Sequence, residues 1–137
     1  MIKVSNPAKK VMDQLTQGLE APGAHRKIDN SPGFMAVHIE NVGSCELGPM
    51  FSVAHYYEQN GDLMKDPDMV FIRSQDGDYY PIEFQQDNLA LYQCAVEFDQ
   101  GEIRRVNNKL QNDLANFANS WMKNIREQQG LNGEGKG

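Results

Sequence analysis

Residues 55–68, HYYEQNGDLMKDPD, gather one histidine, two tyrosines and four carboxylates around a turn. Side chains of these types hold cations. Oxygen ligands from Asp62, Asp66 and Asp68 suit a hard ion such as Mg²⁺, Mn²⁺ or Ca²⁺. The spacing is not that of a calcium loop, which closes a longer frame on a glutamate. The same residues also read as turn chemistry, since Asn60-Gly61 forms hairpins and Asp-Pro-Asp carboxylates cap backbone amides. A second arrangement couples Pro67-Asp68 to Glu83-Phe84-Gln85. Metal-dependent nucleases of the restriction-enzyme type hold an ion between carboxylates so placed, with a lysine steadying the attacking water. Gln85 stands where that lysine would be. Asp68 and Glu83 are the candidate metal ligands under that reading. Glu58 and Glu83 form a third candidate pair, as acid and base facing each other across strands; two solvated sheet positions is the plainer alternative.

Charge marks the same region. Residues 58–87 hold Glu58, Asp62, Asp66, Asp68, Asp76, Asp78, Glu83 and Asp87 against Lys65 and Arg73, a balance of −6. The other 11 acids and 11 bases of the chain cancel. Where strands alternate, one tyrosine of each pair Tyr56-Tyr57 and Tyr79-Tyr80 points away from the core. A stiff, large, hydrogen-bonding ring beside carboxylates makes a protein-contact surface. The candidate surface is therefore His55, Tyr57, Glu58, Asn60, Asp62, Asp66, Asp68 and Glu83. The partner it suits is a protein with a basic face.

Several function classes lack support. A chain of −6 has no basic stripe to displace phosphate counterions, so nucleic acid is not the expected ligand. No apolar run reaches membrane-spanning length, and MIKVSNPAKK lacks the apolar stretch of a secretory signal, so the expected location is the cytoplasm. There is no glycine-rich phosphate loop, no CxxC, no HExxH and no Gly-x-Ser-x-Gly elbow, and no cofactor is expected. Cys45 and Cys94 make no disulfide framework; Cys94 alternates within an apolar pattern and reads as a buried free thiol.

These residues need elements to position them. Asn6 and Pro7 open a helix whose apolar face runs through Ala8, Val11, Met12, Leu15 and Leu19. Residues 22–33 read as loop. Alternation then predicts about five strands between residues 34 and 98, the last running from Leu89 to Phe98. The breaks at Val42-Gly43-Ser44, Asn60-Gly61, Asp76-Gly77 and Asp87-Asn88 are short, so the strands form an antiparallel meander. Leu110, Leu114, Phe117, Ala118, Trp121, Met122 and Ile125 define a long helix, capped by Asn107 or Asn108 and ended by Gly130. The expected fold is α+β, a domain over residues 1–129 with both helices on one sheet face and a disordered tail at 130–137. The other face is left open to water, to a partner, or to a second copy in a homodimer.

Two stretches carry a likeness. HYYEQNGDLMKDPDM at 55–69 and LQNDLANFANSWMKNIREQQ at 110–129, with YYPIEFQQDNLALYQ at 79–93 between them, resemble an uncharacterised bacterial domain family of unknown function. The resemblance spans roughly residues 8–129. It implies small proteins of low-GC Gram-positive bacteria and their mobile elements, accessory in role, with anti-defence among the expected functions. It implies no catalytic residue.

Overall fold

The structure, a computed structural model, describes residues 1–131. Helix α1 (Asn6–Thr16) is capped by Ser5, whose Oγ accepts from the Ala8 N–H at 3.3 Å; Pro7 sits in the first turn, where no donor is needed. The cap is thus one residue earlier than Asn6. Ala8, Val11, Met12 and Leu15 are buried along one face. The helix stops at Thr16 rather than Leu19 because Gly18 turns left-handed at φ 81°. The Arg26 guanidinium then donates to the carbonyls of Leu15 (2.7 Å) and Gln17 (2.6 Å), acceptors that the helix end cannot satisfy itself.

Six strands follow in an antiparallel meander: β1 (His25–Ile28), β2 (Val37–Cys45), β3 (Gly48–Gln59), β4 (Asp62–Arg73), β5 (Tyr79–Gln86) and β6 (Leu91–Cys94), adjacent in that order. One 3₁₀ turn, Asp87–Leu89, joins the last two. Strands β7 (Val96–Asp99) and β8 (Glu102–Val106) form a separate hairpin. Helix α2 (Asn108–Gln129) ends the described chain, capped by Asn107 and closed by left-handed Gly130. This is the expected α+β meander between a short first helix and a long last one.

The strand count differs for two reasons. β1 lies inside the stretch read as loop, and its four residues are too few to show a period; pairing with β2 creates it. The run 89–98 is broken at Ala95. Its N–H donates to the Ile82 carbonyl (2.8 Å) while its own carbonyl accepts from Asn107 (2.7 Å). From Val96 onward the chain leaves the sheet edge.

One cluster joins both helices to Val37, Ile39, Phe51, Val53, Met69, Phe71 and Phe84. These strand residues hold matching register positions, for example Ile39 opposite Val53 and Val53 opposite Met69, so they share one face. Leu114, Ala118, Trp121, Met122 and Ile125 of α2 fill the same core, as their spacing requires. The opposite face carries a smaller cluster, Ile72, Ile82 and Val96 with Met50, Val70, Ile103 and Val106. That cluster holds the β7–β8 hairpin over one end of the helix-free face, so the expected open face is only partly open.

Two buried glutamines fasten α2. Gln111 accepts from the Ile2 N–H (2.6 Å) and donates to the Pro81 carbonyl (3.0 Å). Gln129 accepts from Asn30 N–H (2.7 Å) and donates to the Met35 carbonyl (3.1 Å). Cys94, expected as a buried thiol, is exposed and lies opposite Glu83; Cys45 is half-buried. Of the tail expected to be disordered, residues 132–137 lie outside the described residues. No helix among the described residues is long and apolar enough to cross a membrane.

A candidate binding cleft on the helix-free face

Two rows of side chains cross the face away from the helices. One runs through Glu40, Ser52, Val70 and Glu83, each opposite the next on a neighbouring strand. The other runs through Ala54, Asp68 and Gln85. Strict alternation would put Lys65 and Asp68, three residues apart, on opposite faces. A register shift between Ala54 and Tyr56 absorbs the extra residue, so Tyr56 pairs with Lys65 on the same face as Asp68. The rows border a cleft of ≈ 510 Å³ whose polar lining includes Glu40, Ser52, Tyr56, Lys65, Asp68 and Glu83. Val70 and Met50 add apolar surface, and Phe98 closes one side from the β7–β8 hairpin.

Asp68 is the most constrained group of the cleft. Ser52 Oγ donates to Oδ1 at 2.7 Å, and Lys65 Nζ stands 3.5 Å from Oδ2. Burial nevertheless outweighs both and raises its pKa above the usual carboxylate range; the Ser52 bond and the Lys65 charge oppose the rise. Tyr56 is raised as well, by burial first and then by the charges of Asp68 and Glu40. It lines the cleft together with both carboxylates. Burial and the neighbouring Glu83 charge push Tyr92 up to about 12. His38 stacks edge-on against Tyr56 at 5.0 Å, and burial, with Lys27 next, lowers its pKa.

The sequence-derived residues separate into groups. Asp68 and Glu83 do share the cleft, as diagonal neighbours on β4 and β5. Tyr57, Glu58, Asn60 and Asp62 lie instead on the outer arm of the β3–β4 hairpin, which pairs only with itself beyond Ala54 and Asp68. The side chains of Glu58 and Asp62 make no ion pair or hydrogen bond among the described residues, and Leu63 beside them is 65% exposed. Asp66 is held by the Gln86 side-chain amide. Asp87 accepts from the Lys65 backbone N–H (2.8 Å) and the Gln85 amide (3.0 Å), which lower its pKa in that order.

Three expectations change. His55 is 7% exposed and sits on the helix face, edge-on to Trp121 at 5.4 Å with Nδ1 2.9 Å from the Ala36 carbonyl; it takes no part in an outer surface. Glu58 and Glu83 do not face each other. Glu58 pairs with Leu63 and Glu83 with Val70, seven residues further along β4, about 20 Å away. The turns at Asn60-Gly61 and Asp76-Gly77 lie at opposite ends of β4, roughly 35 Å apart, so Asp76 and Asp78 belong to a different part of the surface. Asp78 is also paired with Lys3 at 3.5 Å.

Asp62, Asp66 and Asp68 do not converge, and among the described residues no group of three His, Cys, Asp or Glu is arranged to hold a metal ion. Sequence reasoning missed Glu40, Ser52, Lys65 and Phe98. Alternation alone would have put Glu40 and Ser52 on polar strand positions; the partners that bring them to Asp68 are set by register.

No curated protein and no solved structure matches the chain. A family of uncharacterised proteins does match it, along almost the whole sequence and through both of the stretches that carried the resemblance. From residue 8 to residue 131 the chain belongs to that family, the domain of unknown function DUF6908.

Proposed function

We propose that this chain is a non-enzymatic binding module whose cleft takes a cationic group of a partner protein, with the acidic β3–β4 arm contacting the partner's basic surface. One observation carries the reading. Glu40 and Glu83 line the cleft without an ion pair among the described residues, beside an Asp68 that already holds an ammonium group from Lys65. The arm continues the same sign of charge through Glu58 and Asp62. Carboxylates that nothing neutralises attract cations at long range and lose that attraction in salt.

The test is a fluorescence titration with labelled hexa-arginine as the probe. Affinity should fall at least tenfold between about 50 and about 500 mM NaCl. It should fall again in the Glu40→Gln, Glu83→Gln double variant. Binding indifferent to salt and to those substitutions would remove the electrostatic basis.

A second reading has one observation in its favour: Asp68, with its raised pKa, and Glu83 share a cleft, as a hydrolase or nuclease would need. Titration calorimetry with Mn²⁺ and Mg²⁺ separates the two, because a metal enzyme must evolve heat that Asp68→Asn abolishes. A homodimer through the helix-free face is excluded by a monomer mass in light scattering at the concentrations of the titration.

A further inference from the structure

We propose that the helix-free face binds a zwitterionic ligand of short-peptide size, its ammonium among Glu40, Asp68 and Glu83 and its carboxylate at Lys27, His25 and His38. The cleft does not end at Tyr56. A second hollow of ≈ 160 Å³ is lined by His25, Lys27 and His38, and it shares Glu40, Ser52 and Tyr56 with the first. The two adjoin at these three residues, and their linings together reach from β1 to β5.

Register fixes the order of charge across them. One row reads Lys27, His38, Ala54, Asp68, Gln85 from β1 to β5; the next reads His25, Glu40, Ser52, Val70, Glu83. The donors lie on β1 and β2, Asp68 and Glu83 lie on β4 and β5, and Glu40 on β2 stands at the border, opposite His25. Lys27 makes no ion pair among the described residues. Asp29 stands near enough to His38 to offset part of the positive field, but it does not line the hollow.

Size follows from strand spacing. His38 and Asp68 are two strands apart, about 10 Å. An extended tripeptide separates its terminal charges by about the same distance. A ligand with only positive charge would satisfy the carboxylates and leave Lys27 and the imidazole donors idle. A zwitterion satisfies both ends.

The inference rests on the cleft being a binding site, as proposed above, and adds the anionic half of the ligand. The experiment titrates ¹⁵N-labelled protein with triglycine, triglycine amide and N-acetyl-triglycine, reading amide shifts by NMR. Triglycine should perturb residues around 25–27, 38–40, 52–56 and 83–85. Both capped peptides should bind at least tenfold more weakly. Lys27→Ala should weaken triglycine while leaving the amide unchanged; Glu83→Gln should weaken triglycine and the amide together. If the amide binds as well as triglycine, the anionic half is idle and this inference fails while the cation-binding reading stands. If the acetylated peptide binds as well, the carboxylates are idle and both fail. No perturbation by triglycine at about 50 mM overturns the inference alone, since hexa-arginine decides the other separately.

Discussion

Replacing Gln111 with leucine tests whether the cleft-bearing sheet is held by its polar clamps or by apolar packing alone. Gln111 is fully buried, so no water takes over its bonds. Leucine keeps the volume and the helix propensity. It leaves the Ile2 N–H and the Pro81 carbonyl without the partners they have at 2.6 and 3.0 Å. A buried backbone group left unpaired costs about 1–3 kcal/mol. Ile2 is half-buried and near the chain end, so its share falls at the low limit. The sum is roughly 2–4 kcal/mol. For a chain of this length that corresponds to a fall in Tm of roughly 10 °C. Urea unfolding monitored by Trp121 fluorescence gives the free energy, and a thermal scan gives Tm. Gln111→Glu refines the result: it keeps an acceptor for Ile2 and loses the donor to Pro81, so it should be no more stable than leucine at neutral pH. A Gln111→Leu protein within about 0.5 kcal/mol of the parent would show that these bonds are matched by water in the folded state, and the clamp argument would fail.

The Tyr79 hydroxyl donates to Asp13 (2.8 Å) and contacts Thr16 (3.0 Å), and burial above all pushes it up to about 12. The unfolded chain releases this proton near pH 10 and the folded chain does not, so stability should fall between pH 10 and 12, by roughly 2–3 kcal/mol at most; Tyr79→Phe should flatten that slope in pH-dependent urea unfolding. Asp68 titrates in the same sense at lower pH. Its folded pKa is raised, so the stability it contributes is full below the unfolded value and is lost as pH rises through the folded one. Asp68→Asn should therefore gain stability relative to the parent between pH 3 and pH 7, and a constant difference across that range would contradict the raised pKa. Gly48 has φ 148°, and a Cβ there would lie 2.2 Å from the Arg73 carbonyl oxygen. Gly48→Ala must displace backbone at the β2–β3 turn and should cost about 3 kcal/mol or more in urea unfolding, more than Gly23→Ala, where φ 89° strains an alanine but its Cβ meets nothing within 4 Å.

Much of this protein is written locally. Apolar spacing specifies α2, because a 3.6-residue period over five turns has no other packing solution. The short Gly-containing turns dictate an antiparallel meander, since they cannot span a crossover. The concentration of acids in residues 58–87 is likewise a property of the chain. Pairing decided the rest. β1 exists only because β2 offers it an edge, and the β7–β8 hairpin only folds back because Val96, Ile103 and Val106 find Ile72 and Ile82. One register shift opposite His55 brings Lys65 onto the side of Asp68. A single-residue slip reverses which face a side chain serves, and no local sequence signal reports it. The sequence alone therefore determined which residues carry charge and which segments fold; the tertiary structure decided which carboxylates meet, because strand partners are chosen by the burial of the opposite face.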